Sequence, residues 1–437
     1  MKRLGNRPVS AQRGQALVMA LGLLMAGAAL MVSMFGTGQV TAAKQRLIGA
    51  ADAAAWSTGL WRARVLNYHA YANRAIVANE VAIAQAVTLL AWSKYFETLT
   101  RNAASFATLF PPAEPVLTGV AEAALLARES AELAATLEVS ARGARGVGYI
   151  EILQASQEIL HLSTQGFGAS MVAAEVVRAT DRSYFAWVLP DAAGDWRSLT
   201  HRADEDADRR RFADLVVASL DPFVAGPRDE DLYTPIPSLC LRLMRLRKRG
   251  STSLSDDMQQ WVAHDTMSFH RRSLGGLRCR ETETVPLGWG AVHAGEGLEL
   301  PAALDAVNPQ AEALADAATT RFPSYAGIAR TRELDYEALG NTRFPVTRLA
   351  VVARQPGAAV ATAMARGLAA GRLLPADRFV GEGSPYLWAV SAAEVYFRRP
   401  VTAPTRVEYA SLFNPYWQVR LAAPSEAQRA AALVHAH

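Results

Sequence analysis

The hydrophobic pattern begins with an unbroken apolar segment near the N-terminus. Residues 16–35 read ALVMALGLLMAGAALMVSMF and contain neither a charged residue nor a proline. At about 1.5 Å per residue, a helix of this length spans roughly 30 Å, the thickness of the hydrocarbon core of a bilayer. The sequence therefore predicts a transmembrane helix at 16–36, preceded by a basic segment at 1–15.

The charges on either side of this segment predict its orientation. Lys44 and Arg46 follow it and are offset in part by Asp52. The residues before it include no acidic residue, and their basic residues are Lys2, Arg3, Arg7 and Arg13. Positive charge favours the cytoplasmic side of the membrane. We therefore expect a single-pass protein of a bacterial inner membrane, with a cytoplasmic N-terminus and the bulk of the chain in the periplasm.

Two kinds of processing compete with an uncleaved anchor. A secretory signal peptide normally has a shorter apolar region, and Thr41-Ala42-Ala43 matches a small-x-small cleavage site poorly. Cleavage of the prepilin type would fall between Gly14 and Gln15, just before the apolar run. Pilins carry a glutamate five residues into the mature chain, where this sequence has Met19. An uncleaved anchor is the simpler interpretation.

The segment after the anchor has helical character. No proline occurs between the anchor and Pro111, so a helix is predicted over about 40–107. Its apolar residues recur at helical spacing, and one face carries Ile76, Ile83, Val87 and Leu90. Glycines divide the next proline-free stretch into predicted helices at 118–141, 149–164 and 169–185. These helices predict a helical bundle domain over 37–189.

The pattern changes from Pro190 onward. This part holds 17 of the 21 prolines, and runs of period two appear at 239–246, 277–285, 346–352 and 388–397. Helical stretches lie between these strand candidates, at 203–220, 302–319 and 357–371. Ser425 and Gln428 have the spacing of a capping box that opens a last helix. Residues 190–437 therefore form a mixed α+β domain, and the whole chain is α+β and mainly helical.

Composition excludes some functions. The 45 basic and 41 acidic residues give a net charge of only +4, so no nucleic-acid partner is expected. There are two cysteines, Cys240 and Cys279, which allow one disulfide in an oxidising compartment. The alternative is a pair of unpaired buried thiols.

Catalytic signatures are missing from the sequence. It contains no G-x-S-x-G, H-E-x-x-H or Walker A motif. The acidic residues at 204–208 lack the glycine and glutamate of a calcium loop, so they predict a helix start instead. His264, Asp265 and His270 lie close in sequence without a recognisable third ligand. We therefore predict no enzyme activity, no catalytic residue, no metal site, no cofactor and no small-molecule substrate.

The basic run at 242–249 is a second group of charges close in sequence. It predicts a solvated face of a strand, or a strand edge that charge protects from pairing with another chain.

A longer pattern around the anchor resembles a known family. RGQALV at 13–18 enters the apolar span, and KQRLIGAADAAAWSTG follows it at 44–59. This arrangement is similar to the N-terminal module of the TadE/TadG-like proteins of the Flp (tight adherence) pilus-assembly system. The matching residues are Arg13, Gly14, Ala16, Leu47, Ala50, Ala51, Asp52, Ala53, Ala54 and Ala55. The von Willebrand A metal motif of larger TadG-like proteins has no counterpart here.

The resemblance implies a structural or scaffold role in pilus assembly, including that of a minor pilin-like subunit. Its expected partners are inner-membrane lipid and other pilus-assembly or pilin proteins, contacted through residues 16–105. Two alternatives remain open. One is a membrane-anchored periplasmic hydrolase or binding protein with its site in the C-terminal domain. The other is a secreted adhesin released by cleavage.

The anchor can be tested with epitope tags at both ends of the chain. We expect one full-length band carrying both tags in the membrane fraction, because neither cleavage site matches its consensus. Immunoblotting of membrane and medium fractions measures this. Loss of the N-terminal tag from the mature protein would rule out the uncleaved anchor.

Overall fold

The structure is a computed structural model, and it confirms an α+β chain. It describes residues 15–107, 125–126, 128–133, 135–136, 148–189, 196, 198–233, 244–275, 278–295, 307–337, 339–340, 342, 344–360, 386–399 and 408–436. The described helices are α1 (Gln15–Ala107), α2 (Tyr149–Ser163), α3 (Gly166–Thr180), α4 (Asp206–Ala218), α5 (Pro222–Ala225), α6 (Pro309–Ala317) and α7 (Glu426–Ala436). Residues 125–126, 128–133 and 135–136 are also helical, and Gly357–Ala359 is a 3-10 turn.

The described strands form three sheets. They are β1 (Phe185–Val188), β2 (Thr200–Arg202), β3 (Glu230–Tyr233), β4 (Met244–Leu254), β5 (Trp261–Gly275), β6 (Arg278–Ala294), β7 (Thr320–Phe322), β8 (Arg332–Leu334), β9 (Val346–Pro356), β10 (Tyr386–Phe397) and β11 (Trp417–Ala422). A four-stranded antiparallel sheet has the order β1-β9-β10-β11, and β2 pairs with β8. The third sheet has the order β3-β4-β5-β6-β7, with β6 and β7 parallel.

Helix α1 is 93 residues long and changes character along its length. Its first part is exposed, with Leu23 and Met31 at 72% and 74% of their full accessibility. It is the one helix among the described residues that is long and apolar enough to cross a membrane. From Ala43 onward one face is buried by other elements of the chain, as the helical periodicity predicts.

The four-stranded sheet lies between α1 and α7. Along β9, Leu349, Val351 and Ala353 face α1, whereas Ala350 and Val352 face α7 around Ala432. This alternation is the period-two pattern expected of a strand that is covered on both faces. Helix α7 starts with the predicted capping box, because the Gln428 amide donates to Ser425 Oγ and the Ser425 amide donates to Gln428 Oε1 (3.1 and 3.0 Å).

The five-stranded sheet also lies between two helices. On one face, Trp261, Ala263 and Val292 pack with α1 residues such as Val87 and Leu90. The opposite face of β5 and β6 is covered by α6. Because both faces of this sheet are covered, residues 261–270 of β5 and 285–294 of β6 are buried or half-buried.

Helix bundling is less extensive than the sequence pattern predicts. Helices α2 and α3 do pack against α1. The bounds of α2 agree with the predicted helix at 149–164, whereas α3 begins and ends earlier than the predicted 169–185, and Phe185 belongs to β1. The described part of α1, however, makes most of its contacts with strands. Strand β1, which belongs to the predicted 37–189 unit, pairs with β9. Within the described residues a separate bundle is therefore not seen, because sheets from the C-terminal half cover much of the apolar face of α1.

Close approach of α1 to β6 gives a test of this packing. A Cβ atom on Gly290 would lie 2.2 Å from the Ala91 carbonyl oxygen and 2.5 Å from the Tyr95 amide nitrogen. Gly290→Ala should therefore lower the free energy of unfolding by about 1–3 kcal/mol, since the two backbones must separate. Urea denaturation of the full chain in detergent measures the change.

Gly49→Ala is the matched control. Gly49 lies in α1 with no heavy atom within 4 Å of its would-be Cβ. The change should leave the free energy of unfolding the same or raise it by up to about 1 kcal/mol, because alanine favours the helix. Equal midpoints for the two variants would contradict the close packing of α1 on β6.

Candidate functional site

The alanine-rich motif on α1 is part of the chain's own core. Its small residues pack against β9, β10 and α3, and the fully buried ones are Leu47, Ala51, Ala54 and Ala55, with Ala50 at 2%. Asp52 accepts a hydrogen bond from Ser391 Oγ of β10 (2.5 Å). Ala16 and Ala53 are exposed, and Arg13 and Gly14 lie outside the described residues. The motif thus fixes a sheet onto the helix.

The predicted disulfide stays a prediction. Cys279 is the second residue of β6 and lies opposite Leu274 of β5. Cys240 lies outside the described residues, so the structure does not test the pairing.

The two charged segments singled out by sequence are satisfied by ion pairs. The acidic residues at 204–208 surround the start of α4, as predicted, and Asp208 pairs with Arg211 and His201. In the basic run, Arg245, Arg247 and Arg249 share Asp231 as a partner. Strand β4 lies inside the sheet between β3 and β5, so the prediction of a protected edge is wrong.

The three neighbours His264, Asp265 and His270 do not converge. Asp265 is fully buried, and its carboxylate binds the Arg228 guanidinium through two hydrogen bonds of 3.0 and 2.8 Å. His270 Nε2 contacts Asn308 Oδ1 at 2.7 Å. His264 lies on the α6 side of the sheet, whereas Asp265 lies on the opposite side, because successive side chains of a strand alternate.

His264 instead meets two residues from distant parts of the sequence. Its Nε2 atom lies 3.3 Å from Nε2 of His293 on β6 and 3.7 Å from Oδ1 of Asp316 on α6. The three ligand atoms all lie within 4.8 Å of one another. Both histidines are about 95% buried, while the Asp316 side chain is 29% exposed. This cluster is called the His-His-Asp cluster below.

Burial shapes the charge state of the cluster. It lowers the pKa of His264 and of His293 to about 4, with a smaller effect of His293 on His264 and of Arg321 and Lys94 on His293. Burial also raises the pKa of the Asp316 carboxyl, although Arg321 opposes that shift. At neutral pH both imidazoles are therefore neutral, and each has one ring nitrogen whose lone pair can accept a hydrogen bond or bind a cation.

A small pocket adjoins the cluster. It has a volume of about 90 Å³, and His264 forms part of its wall together with Asp229, Arg249, Thr266 and Glu312. Glu312 is one helical turn before Asp316 on α6, so both carboxylates lie on one side of that helix. Pockets for drug-sized ligands are typically about 300–1,000 Å³, so this one fits an ion or a few waters.

A second pair of buried histidines lies between α1 and α2. The rings of His69 and His161 are 5.9 Å apart, and His161 stacks on Trp196 at 5.5 Å. Burial and the nearby Arg332 lower the pKa of His69 to about 3 and that of His161 to about 4. No carboxylate joins this pair to form a three-residue cluster within the described residues. It is part of the core rather than a site.

Comparison of the chain with known protein families, curated proteins and solved structures finds no match. The functional argument therefore depends on the residues themselves.

Sequence reasoning missed two members of the His-His-Asp cluster. His293 and Asp316 follow His264 by 29 and 52 residues, and neither has a metal-binding motif around it. The sequence predicted no strand over β5, and only the antiparallel pairing of β5 with β6 places His264 and His293 diagonally across from each other. The strand register was needed to see it.

The buried histidines predict a loss of stability in acid. Below pH 6.5 the unfolded chain protonates His69, His161, His264 and His293, whereas the folded chain does so only near pH 3–4. The free energy of unfolding should therefore fall as the pH drops from 6.5 toward 4, by up to about 1.4 kcal/mol per pH unit for each histidine. Above pH 7.5 these residues are neutral in both states and contribute no pH dependence.

Urea denaturation of the full chain across this range tests the effect. His69→Leu removes one titrating group and should make the pH dependence shallower. The neighbouring Ser156→Ala, which removes a hydroxyl bonded to Tyr68, should lower stability by about 1 kcal/mol at every pH. Parallel profiles for wild type and His69→Leu would show that His69 does not contribute.

Proposed function

We propose that the protein is a membrane-anchored, periplasm-facing scaffold of Flp-type pilus assembly. The observation that carries this proposal is the arrangement of α1. An exposed apolar span leads without a break into the alanine-rich segment that resembles the TadE/TadG-like module. A rigid helix of this kind connects the membrane to the folded part of the chain, as a component placed between membrane and pilus requires.

The orientation follows from charge. The basic residues before the span stay on the cytoplasmic side of an inner membrane, so the sheets face the periplasm. From Phe35 to Ala43, the first buried residue, the helix rises only about 12 Å. The four-stranded sheet therefore begins close to the membrane surface, where Lys44 of α1 contacts the carbonyl and ring of Trp388.

Burial of the alanine motif restricts where partners can bind. Since one face of α1 is covered by the chain's own sheets, partner proteins must use the opposite face or the span itself. Large apolar side chains remain exposed there: Trp56 is 41% exposed, Tyr71 62% and Leu89 48%. Tyr71 and Leu89 are five helical turns apart and lie on the same face. We infer that pilin or assembly proteins pack against this face, called the outer face of α1.

Crosslinking in cells tests this assignment. A photo-reactive amino acid at Tyr71 should form adducts with a pilus or pilus-assembly protein, because Tyr71 projects from the outer face of α1. The same residue at Val434, 76% exposed on α7, is the matched control and should give no such adduct. Immunoblotting and mass spectrometry identify the product. Equal adducts at both positions, or normal pili and adhesion after deletion of the gene, would contradict the pilus role.

A second candidate function is a membrane-anchored periplasmic hydrolase or binding protein. One specific observation favours it: the pocket is lined by Glu312 and by His264, whose pKa is lowered, and His264 in turn contacts His293 and Asp316. The volume of about 90 Å³ limits the ligand to an ion or a very small molecule.

A further inference from the structure

We propose that His264, His293 and Asp316 bind a divalent transition-metal cation of the zinc type. The site is formed by two neighbouring strands and the helix that covers them, and it does not depend on the pilus role. The proposed ion lies on the face of the five-stranded sheet that is turned away from α1.

The distances fit a coordination shell. In a tetrahedral zinc site with bonds of about 2.0–2.1 Å, two ligand atoms are separated by about 3.3 Å. The two Nε2 atoms of His264 and His293 are 3.3 Å apart, and Oδ1 of Asp316 is 3.7 Å from Nε2 of His264. The third pair of ligand atoms, Nε2 of His293 and Oδ1 of Asp316, lies within 4.8 Å. Rotation of the partly exposed Asp316 side chain must therefore bring its carboxylate to about 3.3 Å from both nitrogens when an ion binds.

The cluster leaves buried polar atoms without partners. Oδ1 of Asp316 is buried and has no hydrogen-bond partner, although it is the carboxylate atom that faces the two imidazoles. Nδ1 of His264 also has no partner, but the ring nitrogen that faces His293 and Asp316 is Nε2. A buried unpaired carboxylate oxygen costs free energy that a bound cation removes. The neutral imidazoles at pH 7 supply the remaining lone pairs.

The scaffold holds the three ligands in place. His264 and His293 are fixed by the antiparallel register of β5 and β6. Glu283 of β6 accepts hydrogen bonds from the amides of Gln310 and Ala311 at 2.5 and 3.0 Å and so ties the first turn of α6 to the same sheet. Asp316 therefore has a defined position relative to both histidines. A preorganised site loses less conformational entropy when it binds an ion.

Two nearby cations oppose a metal ion and limit its affinity. Lys94 is close enough to act on His293, but its ammonium group is already bound to the Ala318 carbonyl and to Thr320 Oγ1. Arg321 is exposed and acts on both His293 and Asp316. Removing the charge of Arg321 should therefore strengthen metal binding. This increase is expected only if the cation binds close to Arg321, as it does beside His293 and Asp316.

The ligand types select the class of ion. Two imidazole nitrogens and one carboxylate oxygen suit zinc and related transition metals, whereas calcium and magnesium prefer sites made of oxygen alone. Three protein ligands leave one coordination position for water or another small ligand. The adjoining pocket is large enough to contain it.

Zinc titration of the purified full chain tests the proposal. The protein is prepared in detergent without a polyhistidine tag, and bound zinc is measured by equilibrium dialysis and metal analysis. We expect one zinc ion per chain and a higher thermal unfolding midpoint with zinc present. Cobalt should give the visible absorption spectrum of a four-coordinate ion. Asp316→Asn and His293→Gln should each weaken binding at least tenfold.

Matched variants make the outcome decisive. His201→Gln alters a histidine that pairs with Asp208 away from the cluster, and it should bind zinc like wild type. Arg321→Gln should tighten binding by about threefold, because it removes one repelling charge. If His293→Gln fails to fold, Asp316→Asn still tests the site at a partly exposed position. Absence of bound zinc, or binding that Asp316→Asn leaves unchanged, would overturn the proposal.

Discussion

The close fit between the long helix and the two larger sheets is the constraint on which the fold depends. Where α1 meets the four-stranded sheet, alanines and Gly59 present a nearly flat surface, and Val419 and Ala393 fill the space a side chain on Gly59 would need. Where α1 meets the five-stranded sheet, the small residue belongs to the sheet instead: Gly290 of β6 lies against the backbone of α1 at Ala91 and Tyr95. Small residues on one partner let the backbones approach, which maximises dispersion contacts and excludes water.

Polar side chains of α1 then fix where each sheet sits along the helix. The carboxylate of Glu80 is fully buried and accepts hydrogen bonds from the Tyr325 hydroxyl and the Ala329 amide, at 3.0 and 2.9 Å. Asn73 donates to the carbonyls of Arg332 and Leu412. Apolar packing alone tolerates sliding by a turn, whereas a buried polar group is costly unless it meets its own partner. These contacts therefore determine register as well as stability.

This arrangement separates the two surfaces to which function is assigned. The outer face of α1 carries the exposed Trp56, Tyr71 and Leu89, which is where the proposed scaffold role puts partner proteins. The His-His-Asp cluster lies on the far side of the five-stranded sheet, under α6, and the α1 side chain that acts on it is Lys94. A metal at the cluster would join β5, β6 and α6 without touching the outer face. The proposed scaffold role and the proposed ion site can thus be tested independently.

The sequence by itself determined the local features. Apolar composition defined the span, helical periodicity placed Ile76, Ile83, Val87 and Leu90 on a buried face, and the Ser425 and Gln428 pair marked the start of α7. These depend on neighbours a few residues away, so a single sequence contains them. Tertiary structure decided that sheets, rather than further helices, cover much of α1. It also brought His293 and Asp316 to His264, because strand register and the docking of α6 depend on contacts between residues far apart in the chain.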